Sequence, residues 1–365
     1  MKKLIFVLII SFFLTVCIPF SVRAVPVEEQ TQELYDGLPA ETREILSSFG
    51  IDLSQDGELF DISFSRVFKT LAQVFSGSMK QPLSFTVRML VMLAVVSLFK
   101  ELAAGFEKII SLFCTLMCCA AALGGVSDCI NALMSSAKIC SDFLLVYVPV
   151  FALIVTFSGS AATALTYNST VLAFSEIISR FSSVYMLPVC GILMSMGTAF
   201  SLNPVFNSSK LVAAVNKCIT WVSRTVMSVF AAVLSLKGIM STAADSLTSR
   251  GIKLMFSSLV PVIGGALSEA YSSIAGSLAL ARGSVAVLGI AAVFALNLPV
   301  LAESAMYGVS LSLLSFASDA AGQHGMSSVL GCMKCTVRLM SMLVIMQIFL
   351  TVISTGTVLL MRGNA

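Results

Sequence analysis

The chain has 365 residues, of which 57% are hydrophobic and only 11% charged, with a mean hydropathy of +0.97. No soluble domain of this length needs so apolar a composition, and the pattern is that of a polytopic membrane protein. The net charge of +3 conceals an asymmetry: residues 25–82 hold ten acids and four bases, residues 83–365 fifteen bases and nine acids, and a basic excess beside spans orients a membrane protein and excludes a nucleic-acid partner.

The chain opens with MKKLIFVLIISFFLTVCIPFSVRA, a basic start, an apolar run from Leu4 to Phe20 and small or branched residues before a cleavage point after Ala24. Residues 1–24 therefore read as a signal peptide, with an uncleaved signal anchor as the alternative. Either way residues 25–82 are expected outside the cytoplasm as an acidic, amphipathic helical segment. Pro39 to Phe49 carries apolar Ile45, Leu46 and Phe49, with Gly50 where a helix-ending glycine belongs. From Asp56 to Lys80, residues Phe60, Phe64, Val67, Phe68, Leu71, Val74 and Phe75 recur at three- and four-residue spacings opposite Asp61, Arg66, Lys69 and Gln73. That stripe must meet a membrane surface, another copy of the chain in a homo-oligomer, or a partner helix.

Residues 83–365 form the polytopic helical membrane domain. Apolar runs predict spans near 83–99, 109–126, 143–165, 184–200, 219–236, 254–281, 284–302, 304–318 and 339–361. The fold class is thus all-α, a transmembrane helical bundle of about seven to nine segments with a small helical extracytoplasmic segment in front. Counting inward from the first span puts the loop with Lys100, Glu101, Glu107 and Lys108 inside, together with the one holding Lys237, Asp245, Arg250 and Lys253. It also puts Lys210 and Lys217 outside, against the positive-inside rule.

The richest stretch is Lys237 to Arg282, where Lys237, Asp245, Arg250 and Lys253 fall within 17 positions and an apolar run broken by Pro261 and Gly264-Gly265 ends at Glu269. The run from Leu254 to Leu267 covers about 21 Å as a helix, against about 30 Å of hydrocarbon, so it cannot cross alone. It is read as an interrupted or re-entrant element, with a kinked, tilted span over 254–281 as the alternative. Lys237, Asp245, Arg250, Lys253, Pro261, Gly264, Gly265 and Glu269 are the candidate gate or assembly residues, lining a polar vestibule or a subunit contact. Arg224, a few residues into its span, must snorkel or pair, and Arg88, Arg282 and Glu303 sit near expected span ends.

Constellations for catalysis or cofactors are weak, and none is expected. Cys332 and Cys335 have CxxC spacing, but there is no second CxxC or histidine pair for zinc, and His324 is the sole histidine. The ten cysteines do not form a disulfide framework; Cys114, Cys118 and Cys119 read as packing residues. No phosphate-binding loop, dinucleotide fingerprint or GxSxG motif occurs, so energy for transport would come from a partner or an ion gradient.

The KGI of Lys237 to Ile239, the ADSL-x-x-RGIK of Ala244 to Lys253, the PVIGGALSEA of Pro261 to Ala270 and the apolar SVAVLGIAAVFALNLPVL resemble the stage III sporulation protein AE family of spore-forming bacteria. The resemblance covers essentially the whole chain and is most specific in these motifs. It implies a non-enzymatic component of a channel-like complex between mother cell and forespore. It further implies a place in the mother-cell membrane surrounding the forespore, with an ATPase and ring-forming proteins as partners besides the lipid bilayer. A stand-alone secondary transporter for a small solute is the alternative, although no internal repeat supports it.

Overall fold

Backbone polar groups surrounded by apolar side chains have no water to bond, so a chain of this composition satisfies them within helices. The computed structural model describes residues 35–48, 64–102, 107–201, 208–259 and 264–360, and its elements there are helical. In chain order they are α1 (Ala40–Ser48), α2 (Phe64–Ser78), α3 (Lys80–Leu102), α4 (Glu107–Phe157), α5 (Ala161–Arg180), a π-helical turn (Phe181–Met186), α6 (Leu187–Ser201), α7 (Ser208–Leu259), α8 (Gly264–Ala320) and α9 (His324–Leu360). Among the described residues six helical stretches are long and apolar enough to cross a membrane, roughly the number the sequence leads one to expect. The signal peptide lies outside the described residues.

Two glycine turns define the ends of the bundle. At Ser158–Ser160, Gly159 takes φ 86° while its N–H donates to the Thr156 carbonyl and that of Ser160 to Val155. At the other end Gly322 takes φ 67°, its N–H donating to Asp319 and that of Gln323 to Ser318. Both are paired helix-ending bonds that need a left-handed residue, which glycine adopts without a steric penalty. The first turn splits the run 143–165 between α4 and α5. Conversely, 284–302 and 304–318 lie in one unbroken α8, because the single Glu303 and Pro299 do not stop a packed helix.

Antiparallel neighbours fix the register. Ser136 pairs with Asn297, Tyr147 with Val285, Ser304 with Ser341 and Ser315 with Ser327, so α4 and α9 flank α8. Lys237 meets Thr170 and Phe174 meets Phe230, so α7 runs beside α5. Ser78 donates to the Pro299 carbonyl and Gln323 to Ser97, so α3 runs parallel to α8 towards the Gly322 end. The core is aromatic on α4, where Phe143, Tyr147 and Phe151 stack at 5.5 and 5.7 Å and Tyr167 closes the ladder edge-on at 5.1 Å. Tyr147 fits because Gly289 faces it; a Cβ there would run into the phenol ring. The N-terminal helices pack on the same scaffold: Leu38 and Leu46 are buried against Leu288, Ala292 and Ala295 of α8.

This register corrects the topology read from the sequence. Lys210 and Lys217, near the start of α7, fall at the same end as Lys100 and Lys108, because α5, the π turn and α6 make one passage between the ends. Residues 237–253 lie at the opposite end, so they do not share a side with Lys100 and Lys108. The conflict with the positive-inside rule came from counting 143–165 as one span.

Candidate functional site

Among the described candidate side chains, Asp245 is the one whose carboxylate has both oxygens bonded. Its carboxylate accepts from the backbone N–H of Ala162 at 2.7 Å and of Thr163 at 2.9 Å, the exposed donors of the first turn of α5. Ser160, the local cap residue, makes no side-chain bond there, so α7 supplies the cap across 83 positions of sequence. A carboxylate suits that place because helix N-termini carry unpaired donors and positive partial charge. Thr163 adds a hydroxyl bond to Ser241 at 3.3 Å.

The other described candidates, Lys237 and Arg250, do not converge on Asp245. Lys237 is exposed and reaches Thr170 at 3.4 Å, and Arg250 is exposed on α7. Lys253 belongs to α7 and Glu269 to α8, with side chains outside the described residues. Pro261 lies outside the described residues, bracketed by the end of α7 at Leu259 and the start of α8 at Gly264 and Gly265. Asp245 is level with the first turn of α5, so the fourteen residues of α7 after it run about 21 Å further. Arg282, buried and donating to the Val358 carbonyl near the end of α9, leaves eighteen residues of α8 before it, about 27 Å. The organising stretch is therefore a pair of helical arms leading away from the Gly159 end.

A second polar feature was not foreseen. Between the expected spans, residues 127–142 continue α4 as helix, and Asp128, Asn131, Ser135, Lys138 and Asp142 line up at alternating three- and four-residue steps on its exposed face. On the same helix, large apolar side chains are exposed on either side of this stripe: Phe113, Leu116 and Met117 before it, Leu153 and Phe157 after it. Neighbouring helices carry charge at the same height. Glu176 and Arg180 pair at 2.6 Å on α5, Arg224 is exposed on α7, and Lys334 and Arg338 are exposed on α9. Glu303 of α8 lies within electrostatic reach of Asp128, and Lys80 and Arg88 of α3 face the same region. Together these residues form a charged belt around the middle of the bundle.

Inside the belt one buried amide is fully bonded. Asn297 is fully buried, donates to the Val293 carbonyl at 2.7 Å and accepts from Ser136 at 2.9 Å. Its signal in the sequence is an amide two residues before Pro299 in an apolar run. The cysteines behave as expected of packing residues: Cys332 packs against Gly197, and Cys335 lies with Leu193 and Leu339, all as free thiols. Among the described residues no cluster of three or more histidine, cysteine or carboxylate side chains is grouped to hold a metal ion.

Comparison with known proteins agrees with the resemblance. The family model described as stage III sporulation protein AE matches residues 50–360. A curated relative, the stage III sporulation protein AE of Bacillus subtilis (strain 168), is 19% identical over 170 residues, 47% of this chain and 43% of the relative. The match thus spans less than half the length of that relative. No solved structure matches. With the family model covering most of a multi-pass helical bundle, the chain belongs to the stage III sporulation protein AE family.

Proposed function

We propose that the chain is a non-enzymatic membrane component of a multi-protein, channel-like complex required for endospore formation, linking mother cell and forespore. It resides in the mother-cell membrane surrounding the forespore, beside an ATPase and ring-forming partners. The observation that carries this is the length of the apolar exterior. From Thr115 to Phe157, α4, with Leu116 and Met117 exposed near one end and Leu153 and Phe157 near the other, runs about 63 Å, whereas a bilayer offers about 30 Å of hydrocarbon. The charged belt divides that exterior into two apolar zones of roughly 22–25 Å each. One bilayer covers one zone. The other needs protein neighbours, as a subunit of an assembly has.

The zone beside α3 is assigned to the bilayer. On α3 it takes in the exposed face from Leu83 to Leu98, with Arg88 of the belt about 7 Å in from Leu83, and it ends where Lys100, Lys108, Lys210 and Lys217 cluster, the arrangement expected of a cytoplasmic end. The acidic N-terminal segment, the belt and the arms of α7 and α8 then face the space between the two membranes, where Arg250, Lys253 and Glu269 contact other subunits. The test is site-specific photocrosslinking in sporulating cells. Probes at Leu153 and Met240, in the far zone, are expected to yield protein adducts; probes at Val91 and Leu98 are expected to yield lipid adducts. Lipid adducts from every position overturn the reading, and saturable uptake of one small solute by vesicles containing only this protein would favour a transporter.

A further inference from the structure

A cavity of about 600 Å³ opens between α3, α4 and α8 at the belt. Lys80, Gln81, Ser84 and Arg88 line it from α3, Asp128 from α4 and Tyr307 from α8. Its lower wall is Met89 and Met92, and Phe85 packs against Tyr307 with ring centroids 5.4 Å apart. The volume is in the range of small-ligand sites.

Charges of both signs face this cavity without neutralising one another. Lys80, Arg88, Asp128 and Glu303 make no ion pair with any described residue. The Arg88 Nε donates to the Ser84 carbonyl at 3.3 Å, which lays the side chain along α3 and leaves its terminal nitrogens for another acceptor. Ionisable groups at the edge of the hydrocarbon are costly when unpaired and are retained where something pairs them. Two cations on one wall and the Asp128 carboxylate on the other, with Glu303 within electrostatic reach of Asp128, match a ligand with a separated negative and positive charge.

The apolar surroundings say which kind. Leu83, Val87 and Val91 are exposed on α3 beside the cavity and Val95 and Leu98 beyond it, and this face belongs to the zone assigned to the bilayer. We infer that the cavity binds the headgroup of a zwitterionic phospholipid with a primary amine. Lys80 and Arg88 donate to its phosphate, its ammonium donates to Asp128, and its acyl chains lie along the apolar face of α3 towards Leu98. A phosphate group takes charge-assisted bonds from arginine and lysine, and a primary ammonium has N–H donors for a carboxylate that a quaternary one lacks. The inference rests on the bilayer placement above but not on the sporulation complex.

The test is native mass spectrometry of the full chain purified in detergent and titrated with phosphatidylethanolamine, phosphatidylcholine or phosphatidylglycerol. Phosphatidylethanolamine is expected to be retained about tenfold better than the other two, the scale of one or two charge-assisted bonds. Arg88→Gln and Asp128→Asn are each expected to remove most of that preference, while Lys69→Gln on α2 leaves it intact. Equal retention of the three lipids, or preference unchanged in both cavity variants, overturns the assignment. Competition by free phosphoethanolamine at the same concentration as the lipid also overturns it, since the ligand would then be a soluble zwitterion.

Discussion

Asp245→Ala removes the acceptor for two backbone donors at the start of α5, those of Ala162 and Thr163. Asp245 is only 8% exposed, so water does not replace the carboxylate freely. Each donor left without a partner costs about 1–3 kcal/mol, giving about 2–6 kcal/mol for the pair, with the lost helix-end attraction inside that range. Asp245→Asn keeps one oxygen and should cost about half as much, about 1–3 kcal/mol. Equilibrium unfolding in mixed micelles, followed by helical circular dichroism, measures both. Adding Ser160→Asp to the alanine variant supplies a local cap and should recover about 1 kcal/mol. Lys237→Ala, which loses one long bond to Thr170, should stay within about 0.5 kcal/mol of wild type. An alanine variant as stable as wild type, or no recovery with the local cap, would refute the cross-helix capping argument.

Gly289→Ala drives a methyl group into the Tyr147 ring and is expected to destabilise the bundle by about 1–3 kcal/mol, with Tyr147→Leu as a second-site suppressor; thermal melts of the single and double variants check this. Asn297→Leu should cost about 1–3 kcal/mol by stranding the Ser136 hydroxyl, and Ser136→Ala in the same chain should return part of it, read by the same melts. Among the eight described cysteines, peptide mapping after maleimide treatment of folded protein should find Cys218 modified and buried Cys140, Cys332 and Cys335 spared. Single cysteines at Asp319 and Lys217 should label from one side of the membrane and one at Arg250 from the other; common labelling of all three would contradict the register of α5 to α9.

The helical class, the N-terminal helices and the multi-span character were legible because composition and periodicity are local properties. The helix from Ala40 to Ser48 agrees with the run from Pro39 to Phe49. What failed was punctuation inside apolar runs. Ser158-Gly159-Ser160 is a turn signal only three residues long inside an apolar run, too short to lower a span-length hydropathy average, while the stretch 127–142 between two expected spans continues as helix, its charges at helical spacing. The role of Asp245 was out of reach for a different reason. A carboxylate in a sequence does not name the helix whose first turn it caps, and here that helix is more than 80 positions away.

On the bilayer placement proposed above, the charged belt at mid-height also sets how deep the molecule rides in its host. Sliding it inward by two helical turns would drag Asp128 and Lys334 into oil, and sliding it outward would lift the leucines and valines of α3 into water. Lipid beside the protein would then stretch or thin to the 24 Å or so of greasy surface on offer, at a fraction of a kcal/mol for each ångström of misfit. Two such molecules side by side would share that deformed annulus, which would draw them together before any side chain touched.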